Sequence, residues 1–376
     1  MKVLVTGGAG FIGSFLVDRL VTEGHAVTSI DSLEAQVHNS GKPDYLNDNC
    51  TYLWGSCSDA NLIATALEGI EVVFHLAAIV GVAQSMYEVV RYTQGNTLGT
   101  AVLLEQMIKM QKRPQKIIVA SSMSIYGEGT YQDEEGHEVY AELRPASQLK
   151  MKVWEVLHSK TKAPMRPLPT SETKPLKPGS IYAIGKRDHE EMVHVIGQAY
   201  NIPSVACRFF NAYGSRQALS NPYTGVAAIF CSRLLKGLPP VIFEDGQQLR
   251  DFVHVSDLIE GLLLCLHKET ANYQTFNLGS GLPISIEQVA TALSKAITDG
   301  KIAPVISQEF RAGDIRHCFA DINKARELLN YNPKYSFAVG IPELVQWVSR
   351  QQSEVDKGTD RFDTALHEAK QRGLIS

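Results

Sequence analysis

The chain opens MKVLVTGGAGFIGSFLVDRL, and no other stretch narrows its possible folds as much. Lys2–Thr6 is apolar and β-branched, so it reads as a buried strand, and Phe11, Phe15, Leu16 and Leu20 recur at helical spacing behind the glycines. Gly7, Gly10 and Gly13 stand between the two. A strand that passes at once into a helix through three glycines has a specific use. One glycine makes the tight turn, one lets the backbone approach a pyrophosphate, and one allows close helix–strand packing. The phosphates then sit on the positive N-terminus of the helix. Glycine turns are common in themselves; the strand–turn–helix context makes this one a dinucleotide fingerprint. Its candidate cofactor contacts are Gly7, Gly10, Phe11, Ile12 and Gly13.

A second apolar strand, Ala26–Ile30, ends in Asp31, eighteen residues past Gly13. An acidic side chain at about that distance hydrogen-bonds the adenosine ribose and repels a 2′-phosphate. Ser32 beside it brings no positive charge, so the pair favours NAD over NADP.

Composition excludes several other classes. The 376 residues carry a net charge of −4, which gives no electrostatic case for nucleic acid or an acidic membrane. The longest late apolar stretch, LIEGLLLCL, is too short to span a bilayer. With its first strand starting at residue 2, the sequence leaves no room for a secretory signal, so a cytoplasmic location is expected. Cys50, Cys57, Cys207, Cys231, Cys265 and Cys318 form no CxxC pair and read as reduced, mostly buried thiols. The eleven histidines show no HxxxH or HExxH, so no metal is expected.

Strand-like runs (KVLV, AVTSI, TYLW, EVVFHLA, QKIIVASS, PSVACRFF) alternate with helical ones. That alternation is the signature of an α/β fold, a Rossmann-type doubly wound parallel sheet. We expect residues 1–186 to form the dinucleotide-binding domain, with segments near 204–210 and 251–268 returning to it. A smaller, mainly helical substrate domain would span 187–350, and 351–376 would be a peripheral tail. Residues 128–178 are charged, proline-dotted and weakly periodic; they read as an insertion with some local structure, including a short helix around Met151–His158.

The strand KIIVASS delivers Ser121, Ser122 and Ser124 at its C-terminal end, where open α/β sheets bind ligands. Beyond the insertion, GSIYAIGK places Tyr182 and Lys186 four apart, hence on one helix face. Tyrosine is ordinarily a poor base at neutral pH. A nearby ammonium and a positive nicotinamide ring would favour its phenolate. Alone, YxxxK is a common helix pair; with the fingerprint and the serine-rich strand end it is a catalytic constellation.

At this point the chain resembles the extended short-chain dehydrogenase/reductases, and within them the sugar-nucleotide epimerases and dehydratases. The resemblance runs through GGAGFIG, Asp31, HLAA, GNTLGT, SSMSIYG, YAIGK, RFFNAYG, RDFVHVSD and RAGDIRH, in order, over roughly residues 1–350. It implies that Ser122 hydrogen-bonds the reacting sugar oxygen beside Tyr182, and that Lys186 binds the nicotinamide ribose. Leu76, Ala77, Ala78 and Asn96 would line the cofactor path, with Ser56 and Cys57 near the adenine. Gln84, Ser85, Ser124, Asn211, Arg250 and Arg311 would face a nucleotide-diphosphate sugar, and two guanidiniums suit a pyrophosphate. The family also implies a homodimer through the helices around Asn96–Met110 and Tyr182–Tyr200, whose apolar residues include Val102, Leu103, Met107, Met192 and Val195. Ser56 stands where the family usually has an acidic adenine contact. IVGVAQSMYE, SSMSIYGEG and the insertion ending PLPTSE look most like the dTDP-L-rhamnose 4-epimerase branch; Val80, Val82 and Met86 would then meet a sugar methyl group.

Within that resemblance the residues favour one reaction. A 4,6-dehydratase needs an acid–base pair after the catalytic hydroxyl, and Met123 and Ser124 stand there instead. The decarboxylase relatives usually carry a glutamate at the Ser124 position. A 4-ketoreductase often prefers NADPH, against which Asp31 argues, and a non-catalytic NAD sensor normally loses the Tyr or the Lys. A redox-neutral 4-epimerase is expected, on a 6-deoxyhexose such as dTDP-L-rhamnose or, alternatively, on a UDP-hexose or UDP-N-acetylhexosamine. Cys318 either widens the sugar pocket for an N-acetyl group or simply packs.

Overall fold

The computed structural model describes residues 1–38, 41–219, 225–311, 313–351 and 361–375. Seven parallel strands form the main sheet. Their spatial order is Gln274–Leu278, Ser204–Phe209, Lys116–Ser122, Val72–His75, Lys2–Thr6, Ala26–Asp31 and Cys50–Trp54. The chain moves one way from Lys2–Thr6 and then jumps to its other side, so the switch point lies between Lys2–Thr6 and Val72–His75. A ligand crevice opens there at the strands' C-terminal ends.

Alternate residues of one strand feed opposite layers. Val3 and Val5 pack with Leu16, Leu258 and Leu262, from helices Phe11–Thr22 and Val255–His267. Leu4 packs on the other face with Ile63, Leu103, Met107 and Val193, from helices Ala60–Ala66, Gly99–Lys109 and Ile181–Ala199. Both faces are covered, which is why these strands read as continuous apolar runs rather than alternating ones. The strand Gln274–Leu278, expected as a short strand near Gln274–Asn277 of the substrate domain, instead completes the edge of the main sheet.

A separate cluster of Phe230, Leu234, Phe252, Val289, Leu293 and Leu344 forms the core beside the sheet's C-terminal edge. Helices Val226–Leu235, Ile286–Thr298 and Phe337–Arg350 supply it, with short strands Asn211–Tyr213, Leu249–His254 and Pro283–Ser285 between.

Two local expectations are corrected. The insertion is built on a three-stranded antiparallel sheet, Thr130–Gln132 between Glu138–Tyr140 and Arg166–Leu168. Its helix is Ala146–Lys150, not Met151–His158. Pro145 starts that helix and Lys152, at φ +58°, ends it, so the run to His158 is turn and extended chain. The described part of the tail, residues 361–375, is packed rather than peripheral. Helix Arg361–Gln371 buries Phe362 and Ala369, seven residues apart on one face of a polar run. Residues 352–360 and 376 of that tail, and Ala312 of RAGDIRH, lie outside the described residues. Among the described residues no helix is long and apolar enough to cross a membrane.

Candidate active site

Three elements converge at the switch point. Strand Lys116–Ser122 ends on Ser122, whose Oγ accepts from the Ser124 N–H at 3.2 Å and the Ser124 hydroxyl at 3.0 Å. Helix Ile181–Ala199 begins beside it because Ser180 caps it, accepting from the Ala183 N–H at 3.1 Å. Tyr182 and Lys186 follow in the first two turns, both buried. The Tyr182 N–H donates to Ser85 Oγ at 3.1 Å, which ties the helix start to the segment 79–88. Lys186 Nζ donates to the Ala120 carbonyl at 2.8 Å, two residues before Ser122.

The electrostatics follow from burial. Desolvation pushes the Tyr182 phenol up to about 12, and the hydrogen bond with Ser122 pulls against it. Desolvation also pushes the Lys186 ammonium down to about 7. Two imidazoles line its other side, their rings 5.3 Å apart: His75 and His189. His75 is held between the Thr6 and Thr100 hydroxyls at 2.8 and 2.9 Å. Burial first, and the Lys186 charge next, push both histidines well toward the neutral form, His75 to about 3. His75 enters the sequence reading only as part of HLAA and His189 only as an ordinary surface or core residue; the structure buries both, at a strand end and on the inward face of helix Ile181–Ala199.

The glycine junction is crowded as a phosphate cradle requires. Gly7 has φ +77°, and a Cβ there would lie 2.9 Å from the Ala77 backbone. A Cβ on Gly13 would lie 2.0 Å from the Gly7 carbonyl oxygen. Phe11 and Ile12 are half-buried at the helix start. Asp31 is 8% exposed, accepting from the Ala9 N–H at 3.0 Å and the Leu33 N–H at 2.9 Å. Those two bonds fix the carboxylate and leave acceptor capacity over. Ser32 is exposed beside it. The Ala77 N–H donates to Thr6 Oγ1, with Leu76 and Ala78 half-buried on either side. Ser56 is exposed and bonds Ser58, while Cys57 is buried against Gly99.

Several candidates hold the site without facing it. Asn96 is 1% exposed, accepting from the Ile79 N–H at 2.7 Å and donating to the Ile79 carbonyl at 3.1 Å. Gln84 is spent on Gln36, Tyr92 and Glu88, and Ser85 on Val82 and Tyr182. On the opposite wall, Asn211 presents a buried Oδ1 with no partner among the described residues. Arg250 donates to the carbonyls of Leu249, Ile315 and Arg316. The Arg311 guanidinium lies 4.4 Å from the Phe243 ring centre. Cys318 is 1% exposed with its thiol toward Thr170 of the insertion, so it packs.

The sequence reading also missed the ion network beneath this wall. Arg144 grips Glu244 with two bonds of 2.9 and 2.8 Å, and Arg316 reaches Glu155, Glu244 and Asp245. Glu128 accepts from the N–H groups of Arg316 and His317.

Comparison with known proteins fits this geometry. The profile of the NAD dependent epimerase/dehydratase family matches residues 3–148, and that of GDP-mannose 4,6 dehydratase matches 164–344. A dTDP-L-rhamnose 4-epimerase from Burkholderia thailandensis is 32% identical over 93% of this chain and 95% of its own length. The chain belongs to the NAD-dependent epimerase/dehydratase family. A UDP-glucose 4-epimerase structure with UDP-glucose, from Thermotoga maritima, matches with a TM-score of 0.75 and 33% identity, covering 93% of this chain and 99% of that one. A UDP-glucuronic acid 4-epimerase from Bacillus cereus, in complex with UDP-glucuronic acid and NAD, matches with a TM-score of 0.73 and 26% identity over 93% and 99%. As a member of this family the chain is an enzyme of the nucleotide-sugar epimerase/dehydratase kind, and its cofactor is NAD. The cradle at Gly7 and Gly13 and the fixed Asp31 carboxylate suit that group.

Proposed function

We propose that this protein inverts carbon 4 of a nucleotide-linked 6-deoxyhexose, with dTDP-L-rhamnose and its 6-deoxy-L-talose epimer as the interconverting pair. The observation that carries the reading is Tyr182 buried against Ser122 and one helical turn from Lys186, with Met123 and Ser124 where an eliminating enzyme needs an acid and a base. Gly7, Gly10, Phe11, Ile12, Gly13 and Asp31 would hold the cofactor, and Lys186 its ribose. NAD, when bound, accepts a hydride from the sugar and returns it.

The protein's residues handle the proton. Tyr182 takes it from the C4 hydroxyl as the C4–H bond breaks, which leaves a C4 ketone. Ser122 holds that oxygen and hands its hydrogen bond to Tyr182. When hydride comes back on the opposite face, Tyr182 returns the proton, so the cycle is redox-neutral. Asn211, Arg250 and Arg311 would grip the diphosphate while the sugar turns over. The 6-deoxy preference rests on Val80, Val82 and Met86, 47%, 53% and 46% exposed on the segment that holds Tyr182. They offer apolar surface to a methyl group.

Proton NMR of the purified protein with dTDP-L-rhamnose and no added cofactor should show an equilibrium mixture of the two epimers. Turnover of UDP-glucose or UDP-glucuronic acid alone would overturn the sugar assignment and keep the mechanism. Stoichiometric NADPH consumption, or a stable keto sugar, would overturn both.

The family resemblance also supports a homodimer. Leu103 and Met107 are spent in the core, but Leu98, Ile184 and Val195 are 45%, 44% and 63% exposed on the two helices concerned. Light scattering at micromolar concentration should give twice the 41.4 kDa chain mass; a monomer mass would contradict this.

A further inference from the structure

The helix Arg361–Gln371 lies beyond residues 164–344, where the second family profile ends its match, and no step of the proposed reaction uses it. Its contacts nevertheless reach two segments that carry candidate substrate residues. They tie it to the wall that carries the diphosphate candidates. Asp363 accepts from Arg233 Nη1 at 2.7 Å, and Lys370 reaches Glu309 at 2.5 Å. Past the helix, the backbone of Ile375 pairs antiparallel with that of Arg311, and Ile375 is buried. Toward the other wall, the Arg372 guanidinium stands 4.3 Å from the ring centre of Tyr87. Tyr87 follows directly on the segment whose Ser85 holds the Tyr182 backbone.

We infer that residues 361–375 are part of the substrate site, a strap rooted on the Arg311 wall and latched to the Tyr87 wall by Arg372, which acts as a positioning residue. The inference deepens the epimerase reading and rests on it for its chemical purpose. One cofactor returning hydride to the opposite sugar face requires the keto sugar to turn over inside the site. During that motion the sugar gives up its contacts and only the nucleotide end stays held. A cleft whose two walls are tied together keeps the ketone in and water out until the hydride returns. Arg372 does this without touching the reacting atoms. Its contact is a cation over an aromatic face, an arrangement that lysine also makes.

The test uses the full chain with Arg372→Ala and Arg372→Lys. Stopped-flow release of dTDP and of UDP from the Ala variant should be about two- to fivefold faster than from wild type, the factor that such a contact carries at an exposed position. The Lys variant should stay near wild type, and thermal midpoints should not move. During turnover of dTDP-L-rhamnose, UDP-glucose or UDP-glucuronic acid, whichever the wild type accepts, the Ala variant should accumulate absorbance at ~340 nm from reduced cofactor left behind by escaping ketone, while the wild type stays flat. Unchanged release in the Ala variant overturns the strap. So does tighter nucleotide binding, which would make the segment a competitor for the site. If the wild type epimerises none of the three sugars, the reaction assignment falls and the release rates alone decide the strap.

Discussion

Tyr182→Phe should lower turnover by roughly 10²–10⁴-fold, the range for loss of a general acid–base group, while leaving affinity for a nucleotide sugar nearly unchanged. Phenylalanine keeps the ring that is buried at the head of helix Ile181–Ala199, so the packing and the backbone bond to Ser85 survive. What disappears is the hydroxyl facing Ser122. The pH profile separates this from a loss of fold. Burial raises the free phenol to about 12, so a working Tyr182 depends on positive charge next to it to reach the phenolate. The wild-type rate should therefore fall on the acid side as the phenolate is protonated, and the residual activity of the variant should show no such limb. Near-normal turnover in Tyr182→Phe, or an unchanged acid limb, would remove the tyrosine from its role. Lys186→Met is the companion measurement: it takes away the ammonium that donates to the Ala120 carbonyl and should move the acid limb to higher pH.

The dinucleotide half of the protein was legible because its physics admits few solutions. A Cβ at Gly13 would overlap the Gly7 carbonyl, so the pattern GGAGFIG states a backbone packing directly. Ser122, Tyr182 and Lys186 were legible because a strand end and a helix start are local features, and the parallel sheet brings both to the same edge. What could not be read was whatever depends on non-local pairing. The insertion's three strands are three residues each, shorter than the span over which alternation shows itself, and the outer one at Arg166–Leu168 pairs with Thr130–Gln132 across almost forty positions. Asn96, Gln84 and Ser85 matched motifs at the site but turned out to spend their polar atoms on neighbouring chain. A motif fixes which residue stands near a ligand; only the hydrogen-bond partners tell whether it faces the ligand or the scaffold behind it. The buried pairing of Arg144 with Glu244, one hundred positions apart, has no sequence signature at all.

Replacing Arg316 by methionine should cost the fold about 1–3 kcal/mol, because it removes a buried cation from three carboxylates, two of which, Glu155 and Asp245, are 39% and 35% exposed and screened by water. Arg316 is 0% exposed, and its guanidinium donates to Glu155, Glu244 and Asp245 at 2.6–3.1 Å. Glu244, at 2% exposure, would keep Arg144 but lose its second cation. For a chain of this length the loss corresponds to a melting point lower by roughly 1–4 °C. The surface pair Lys177–Glu142 is the contrast: Glu142, 79% exposed, should be replaceable by alanine with a change of about 0.5 kcal/mol or less. The pH dependence has a definite sign. Burial raises the Glu155 carboxyl, but hydrogen bonds from His317 and Arg316 outweigh it and hold the group down to about 2. A carboxylate depressed in the folded state adds stability that is fully present above its ordinary value of 4.5 and is lost as pH falls toward 2. The wild type should therefore lose this increment in acid, whereas Arg316→Met has less of it to lose. Calorimetry from about pH 7 to about pH 3 should show the two melting points converging, and a gap that stays constant, or none at neutral pH, would refute the network's role. The Arg316 carbonyl also accepts from Arg250 at 2.8 Å, so the same substitution loosens the seat of a diphosphate candidate. The variant's remaining folded fraction should then bind UDP and dTDP more weakly, because the insertion, through Glu128, Arg144 and Glu155, braces the wall on which the substrate's charge would rest.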